Sequence, residues 1–92
     1  MVSWLPEAFS DLDAVAEWFR EHAPEHLADI AQRIWDGAQS LDSLPHRGRP
    51  GAVDGTLEIL VPRLPYKLVY TVRGNNVYIL RLLHQHRQWP PA

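Results

Sequence analysis

The residues best suited to chemistry gather near the end of the chain: Lys67, Arg81, His84, His86, Arg87 and Trp89. Arginine and lysine clamp phosphates, and a histidine with a pKa near neutrality moves protons. Together they are the parts of a metal-free ribonuclease, with cations for the pentavalent phosphorane and an acid or base beside them. The plainer reading of the same residues is solvated cations on a sheet edge and a packing tryptophan. Their convergence depends on strand register. A two-residue loop at Asn75-Asn76 sets Lys67 opposite His84, whereas a three-residue loop puts Lys67 on the face of Arg81.

Other chemistries find less support. His84-Gln85-His86 would aim two rings at one side of a strand, but no third ligand is fixed beside them, and there is no cysteine. His22 and His26 are separated by Pro24, which breaks the helix that would align them. No metal or other cofactor is therefore expected. Phosphate-binding glycine loops, a Gly-x-Ser-x-Gly elbow, a helix-turn-helix, a zinc finger and the aromatic signature of RNA-recognition sheets are all missing. Gly48-Arg49-Pro50-Gly51 reads as a structural turn.

The elements that must position these groups follow from hydrophobic period. Met1–Leu5 is short and apolar and ends at Pro6, as an edge strand does. Pro6 suits the first position of a helix. Ala8, Leu12, Val15, Ala16 and Phe19 then form one stripe, up to the stop at Pro24. Leu27, Ile30, Ala31, Ile34, Trp35, Ala38 and Leu41 form a second, predicting a helix to about Leu44, with a bend or fraying at Gly37. The short link between the two makes an antiparallel hairpin. After the loop His46–Gly55 the period falls to two, and Leu57–Val61, Tyr66–Arg73 and Val77–His84 read as strands. The expected fold is α+β: a short N-terminal strand, then a two-helix hairpin packed on one face of a C-terminal antiparallel sheet.

Strict alternation leaves apolar residues on both sheet faces. Val69 faces away from Leu68, Tyr70 and Val72, and Leu80 and Leu82 face away from Ile79. Two helices cover only one face. A partner is expected on the other, at Val69, Leu80, Leu82 and Arg73, unless the sheet curls to bury them itself.

Length and composition set the frame. Ninety-two residues suffice for one domain, residues 1–92, hiding only about 60–65% of the surface its unfolded chain exposes. Hydrophobic residues at 46% and charged residues at 22% describe an ordinary globular chain. No run is apolar enough to span a membrane, and the N-terminus lacks a signal-peptide pattern, so a cytoplasmic location without membrane contact is expected. The net charge of −2 conceals a division. Residues 1–44 carry two arginines against nine acids, or −7; residues 45–92 carry seven cations against two acids, or +5. Such a basic half faces either a polyanion, an acidic partner or the acidic half of its own fold.

In this order and spacing the residues resemble the RelE/ParE superfamily of toxins from bacterial type II toxin–antitoxin systems. The resemblance spans nearly the whole chain: Trp4-Leu-Pro-Glu-Ala8, Asp11-Leu12, the helical hairpin, Leu44-Pro45, Gly48-Arg49-Pro50-Gly51, Gly55-Thr56 leading to Glu58, Pro65–Tyr70 and Leu83–Pro90. It implies a growth-arresting toxin neutralised by a cognate antitoxin whose tail wraps it, in keeping with the surplus apolar face and the basic half. RelE-like members cut messenger RNA on the ribosome; ParE-like members poison DNA gyrase. Lys67 stands where the ribonucleases usually carry arginine, and Arg87 matches their C-terminal arginine. Glu58 and Leu60 stand where they place lysines, and Leu57 where many members have arginine. An acid in a phosphate-binding strand is an electrostatic conflict.

The segments Pro65–Tyr70 and His84–Pro90 look more ParE-like, so gyrase inhibition is expected, with Arg81, Arg87 and Trp89 on the target surface. The alternative is a ribonuclease using Lys67 and Arg87 for charge and His84 or His86 for proton transfer. A third reading is a weakened toxin that still binds antitoxin.

Overall fold

The computed structural model describes residues 1–91. Strand β1 (Val2–Trp4) leads through Leu5 into α1 (Pro6–His22), whose first turn holds Pro6 and the helix-compatible charge of Glu7. A 3-10 turn at Pro24–His26 opens α2 (Leu27–Gln39), so the predicted hairpin forms where Pro24 interrupts the first stripe. The second helix ends earlier than its apolar stripe suggested. Just past Gly37 it tightens into a 3-10 turn, Ser40–Asp42, with the Ser40 hydroxyl donating to the Gly37 carbonyl at 2.7 Å. Leu41 still reaches the core from that turn.

The remaining strands are β2 (Arg49–Pro50), β3 (Thr56–Leu60), β4 (Tyr66–Arg73) and β5 (Asn76–His84). They form one sheet in the order β1-β5-β4-β3-β2. The sheet is antiparallel except at β1, which runs parallel to β5, with Val2 opposite Val77 and Trp4 opposite Ile79. Strand β2 comes from the segment expected to be loop. Its Pro50 is tolerated because the strand lies at the sheet's edge.

One face of the sheet receives both helices. Ala8 from α1, Ile34 and Ala38 from α2, and Leu68, Tyr70, Val77, Ile79 and Leu82 from the sheet make the core. Leu12, Val15 and Ile30 pack at its border. The opposite, outer face carries Glu58 and Leu60 from β3, Lys67 and Val69 from β4, and Leu83 from β5.

A bulge decides which β5 residues reach that outer face. Arg73 pairs with Asn76, so a two-residue loop, Gly74-Asn75, closes the hairpin; Gly74 sits at φ +60°, which glycine adopts without penalty. Down to Tyr70↔Ile79 the register is that of this loop. It then shifts by one, so that Val69 faces Arg81 and Lys67 faces Leu83. The extra residue is Leu80. Beyond it alternation is inverted: Leu82 joins Ile79 in the core and Leu83 turns outward.

That inversion corrects the expectation for Leu82, which is only 3% exposed beneath the helices and offers no surface to a partner. By register it also puts Lys67 and Arg81 on one side of the ladder, the arrangement expected of a three-residue loop, by way of a shorter loop and a bulge. The Arg81 guanidinium nevertheless turns away to Asp11 of α1.

Candidate functional site

The outer face holds two charged side chains that are almost wholly buried. Lys67 Nζ lies 3.3 Å from Glu58 Oε1, with side chains only 6% and 10% exposed. They are diagonal neighbours, two residues apart in register on adjoining strands: Glu58 pairs with Val69 and Leu60 with Lys67. Arg49, paired with Glu58 across β2 and β3, reaches the same oxygen at 3.5 Å with an open, solvated side chain. The Glu58 that conflicts with phosphate binding in sequence thus has two cationic neighbours of the chain itself.

Two cavities adjoin this cluster and share Arg49, Glu58 and Lys67. One, of about 380 Å³, is closed by Arg47, Gly48, Ile59 and Leu60. The other, of about 320 Å³, is closed by Ala52 and by Gln88, Trp89 and Pro90 of the C-terminal segment. The segment is led there by a Gln85 N–H donating to the Pro65 carbonyl and an Arg87 N–H donating to that of His84. Val69, expected at a partner's disposal, is fully buried on this outer face.

Gly48 holds the site's rim. Its N–H donates to the Tyr70 hydroxyl at 2.9 Å, and a Cβ there would lie 2.7 Å from that oxygen and 2.8 Å from the Glu58 carbonyl. Only glycine fits without displacing a backbone. Burial raises the Tyr70 pKa, opposed in part by the Gly48 hydrogen bond and the charge of Arg47. The Tyr66 phenol is raised too, by burial alone.

Two of the proposed catalytic residues, Lys67 and His84, lie apart. Lys67 lies on the outer face, while His84 pairs with Tyr66 and so shares the helix-side face with its ring, centroids 6.5 Å apart. The His86 N–H donates to His84 Nδ1 at 3.3 Å, and both rings are exposed. Arg87 is exposed beyond the strand. Among the described residues no group of three metal-ligating side chains surrounds these histidines.

Of the residues expected at a target surface, Trp89 is half-buried against the second cavity. Arg81 is held elsewhere. Its guanidinium donates twice to the Asp11 carboxylate, at 2.7 and 3.0 Å, and that carboxylate also accepts the Leu82 N–H at 3.0 Å. Strand β1 stops short of this part of β5, so Asp11 of α1 supplies the acceptor that a neighbouring strand would have given. The hydrogen bond to Asp11 holds the Arg81 pKa above its ordinary value, against the effect of burial. This guanidinium is a fixture between helix and sheet, with little left for a target. Leu80 is half-buried at the bulge, and Arg73 is exposed at the hairpin end.

Arg47 and Arg49 are the site residues that sequence reasoning missed. The available signal was the cluster of arginines at the start of the Gly/Pro-rich segment, beside a proline compatible with an edge strand.

Comparison with known proteins assigns this architecture. Residues 2–89 match the family model described as ParE toxin of type II toxin–antitoxin system, parDE. A Sinorhizobium fredii protein named as a toxin, Y4kP, is 30% identical over 89 residues, covering 97% of this chain and 92% of that protein. Toxin RelE2 of Caulobacter vibrioides is 34% identical over 86 residues, covering 94% and 96%.

Among solved structures, a chain of the chromosomal ParDE system from P. aeruginosa superposes with a TM-score of 0.82 at 27% identity, covering 90% of this chain and 92% of that one. A chain of the YoeB-YefM complex from Staphylococcus aureus shares the fold alone, with a TM-score of 0.55 at 20% identity over 91% and 94%. The fold and its matches define a toxin of the RelE/ParE superfamily. Within it, the chain belongs to the ParE toxin family of type II toxin–antitoxin systems.

Proposed function

We propose that this toxin arrests growth by binding its target rather than by cutting RNA, that the target is DNA gyrase, and that a cognate antitoxin holds it inactive. The observation that carries the reading is the Glu58–Lys67 contact. A phosphate brought to Lys67 must displace or oppose a carboxylate already seated there, which is repulsion where a ribonuclease needs attraction. His84 and Lys67 lie on opposite faces of the sheet, so His84 is not placed for proton transfer at a phosphate held by that lysine. The exposed Arg87 and half-buried Trp89 suit a binding surface at the end of the chain.

The test is controlled expression without antitoxin, following DNA and protein synthesis by label incorporation, with a supercoiling assay on purified gyrase. DNA synthesis should fail first, purified toxin should inhibit supercoiling, and His84→Ala with His86→Ala should stay toxic. Early arrest of protein synthesis with cleaved messages, abolished by that double substitution, overturns the reading in favour of a ribonuclease. Harmless expression of folded protein overturns it in favour of a weakened toxin.

A further inference from the structure

The segment Arg47-Gly48-Arg49 is tied down along its whole length. The Arg47 N–H donates to the Leu44 carbonyl at 3.2 Å, and its guanidinium donates to the Ser40 hydroxyl at 2.6 Å. Gly48 is fastened to the core through the Tyr70 hydroxyl, which accepts its N–H. Arg49 pairs with Glu58 in the sheet, and just beyond it the Gly51 N–H donates to the Thr56 carbonyl at 2.9 Å. Both arginines line the 380 Å³ cavity, whose apolar wall is Ile59 and a Leu60 that is 54% exposed.

The fold makes little use of these two charges. Among the described residues Arg47 meets no carboxylate, and Arg49 approaches Glu58 at 3.5 Å with an open side chain. Glu58 already has the buried Lys67 beside it, so the cavity wall carries three cations against one acid. Ordering an arginine costs side-chain entropy, so cations fixed at an open rim are pre-organised for a group outside the chain. The rim is also continuous with Trp89, because Arg49 lines the second cavity with Gln88 and Trp89.

From these features we infer that Arg47 and Arg49 form a fixed two-arginine clamp for a carboxylate on the protein surface of the toxin's target, with Tyr70 as its positioning residue. An apolar neighbour of that carboxylate would enter the cavity against Leu60. The inference rests on the reading that the target is DNA gyrase, and it names a part of the toxin that meets it. Planar guanidinium forks take carboxylates through paired hydrogen bonds, so their spacing matters. A run of nucleic-acid phosphates fits less well, since its closely spaced charges would set one against Glu58 and give Leu60 no apolar contact. Tyr70 acts through the backbone. Without its hydroxyl the Gly48 N–H loses its acceptor, and the chain between the two arginines is released from the core.

The test is supercoiling inhibition by purified toxin, together with binding to gyrase free of DNA. The variants are Arg47→Ala with Arg49→Ala, Tyr70→Phe, and all three together, each checked for folding by circular dichroism. Removing both arginines should raise the inhibitory concentration by at least roughly tenfold, and Arg20→Ala, on α1, should leave it unchanged. Tyr70→Phe should raise it roughly threefold in the parent and not at all once the arginines are gone, whereas a residue that merely stabilises the fold acts equally in both backgrounds. The arginine variants lie at the surface and decide the clamp whether or not Tyr70→Phe folds. Full potency without the arginines, or a Tyr70→Phe effect that persists without them, overturns the inference and leaves the gyrase reading intact. So does a loss of potency on DNA-bound gyrase with unchanged binding to DNA-free gyrase, which would set the arginines against phosphates. A parent toxin that neither binds nor inhibits gyrase overturns both.

Discussion

Among the described residues two ion pairs are nearly buried, and they are built on different plans. Asp11–Arg81 ties α1 to β5 with two guanidinium contacts and a backbone N–H, so the carboxylate accepts three hydrogen bonds. Glu58–Lys67 lies on the other face with a single contact of 3.3 Å, a loose third partner in Arg49, and a cavity on either side. Burying charge is costly unless geometry and hydrogen bonding are complete, and only the first pair meets that standard. The first pair closes a sheet edge. The second leaves charge next to open space.

The strongest way to break the comparison is Asp11→Ala. It leaves a guanidinium of 19% side-chain exposure without its carboxylate and the Leu82 N–H without an acceptor. The expected cost is about 3 kcal/mol in unfolding free energy, measured by urea denaturation of the purified toxin. Asp11→Asn should recover about 1 kcal/mol of it, because the amide oxygen still accepts from Leu82. A loss below about 1 kcal/mol in Asp11→Ala would show that Arg81 is as loosely held as Lys67.

Tyr70 gives the intermediate case, since it reaches from the core to the rim of the outer site. Tyr70→Phe removes the partner of the Gly48 N–H and should cost about 1–2 kcal/mol. The pH dependence follows from the raised phenol pKa. The folded state keeps its proton where the unfolded phenol, near 10, has lost it, so this stability is complete below pH 10 and falls as pH rises through the higher folded value. Urea midpoints taken from pH 8 upward should therefore drop above pH 10 in the parent, and less steeply in Tyr70→Phe. Equal slopes in the two proteins would detach Tyr70 from the alkaline loss.

How far the sequence carried depended on whether local rules were enough. Pro6 and Pro24 bounded α1, and the period-2 run Tyr66–Arg73 became β4 with its ends unchanged, because those signals are local. The bulge at Leu80 was not legible. Nothing in Ile79-Leu80-Arg81 distinguishes an inserted residue from plain alternation, and the choice is made by packing Leu82 under the helices. That one step moved Leu82 from the outer face to the core. The ion pair of Arg81 was out of reach for a related reason: its partner, Asp11, is 70 residues away in sequence. Strand β2 was hidden because two residues are too few to show a period. The conflict posed by Glu58, by contrast, was visible once the resemblance set its charge where the ribonucleases carry lysine.

The smallest effect sharpens the comparison from within the outer site. Arg49 and Lys67 approach the same Glu58 oxygen, yet the Arg49 side chain is 72% exposed and Lys67 is 6% exposed. An exposed partner at 3.5 Å, screened by solvent and salt, should matter little to folding, so Arg49→Ala is expected to change stability by less than about 0.5 kcal/mol. Lys67→Ala leaves Glu58 facing only Arg49 and should cost several times more by the same urea measurement. If the two variants cost the same, burial is not what separates the two cations, and Glu58 is balanced by Arg49 as much as by Lys67. If Arg49→Ala is nearly silent, Arg49 is held at the rim for some purpose other than folding. Its remaining neighbours are the two cavities it lines with Glu58 and Lys67.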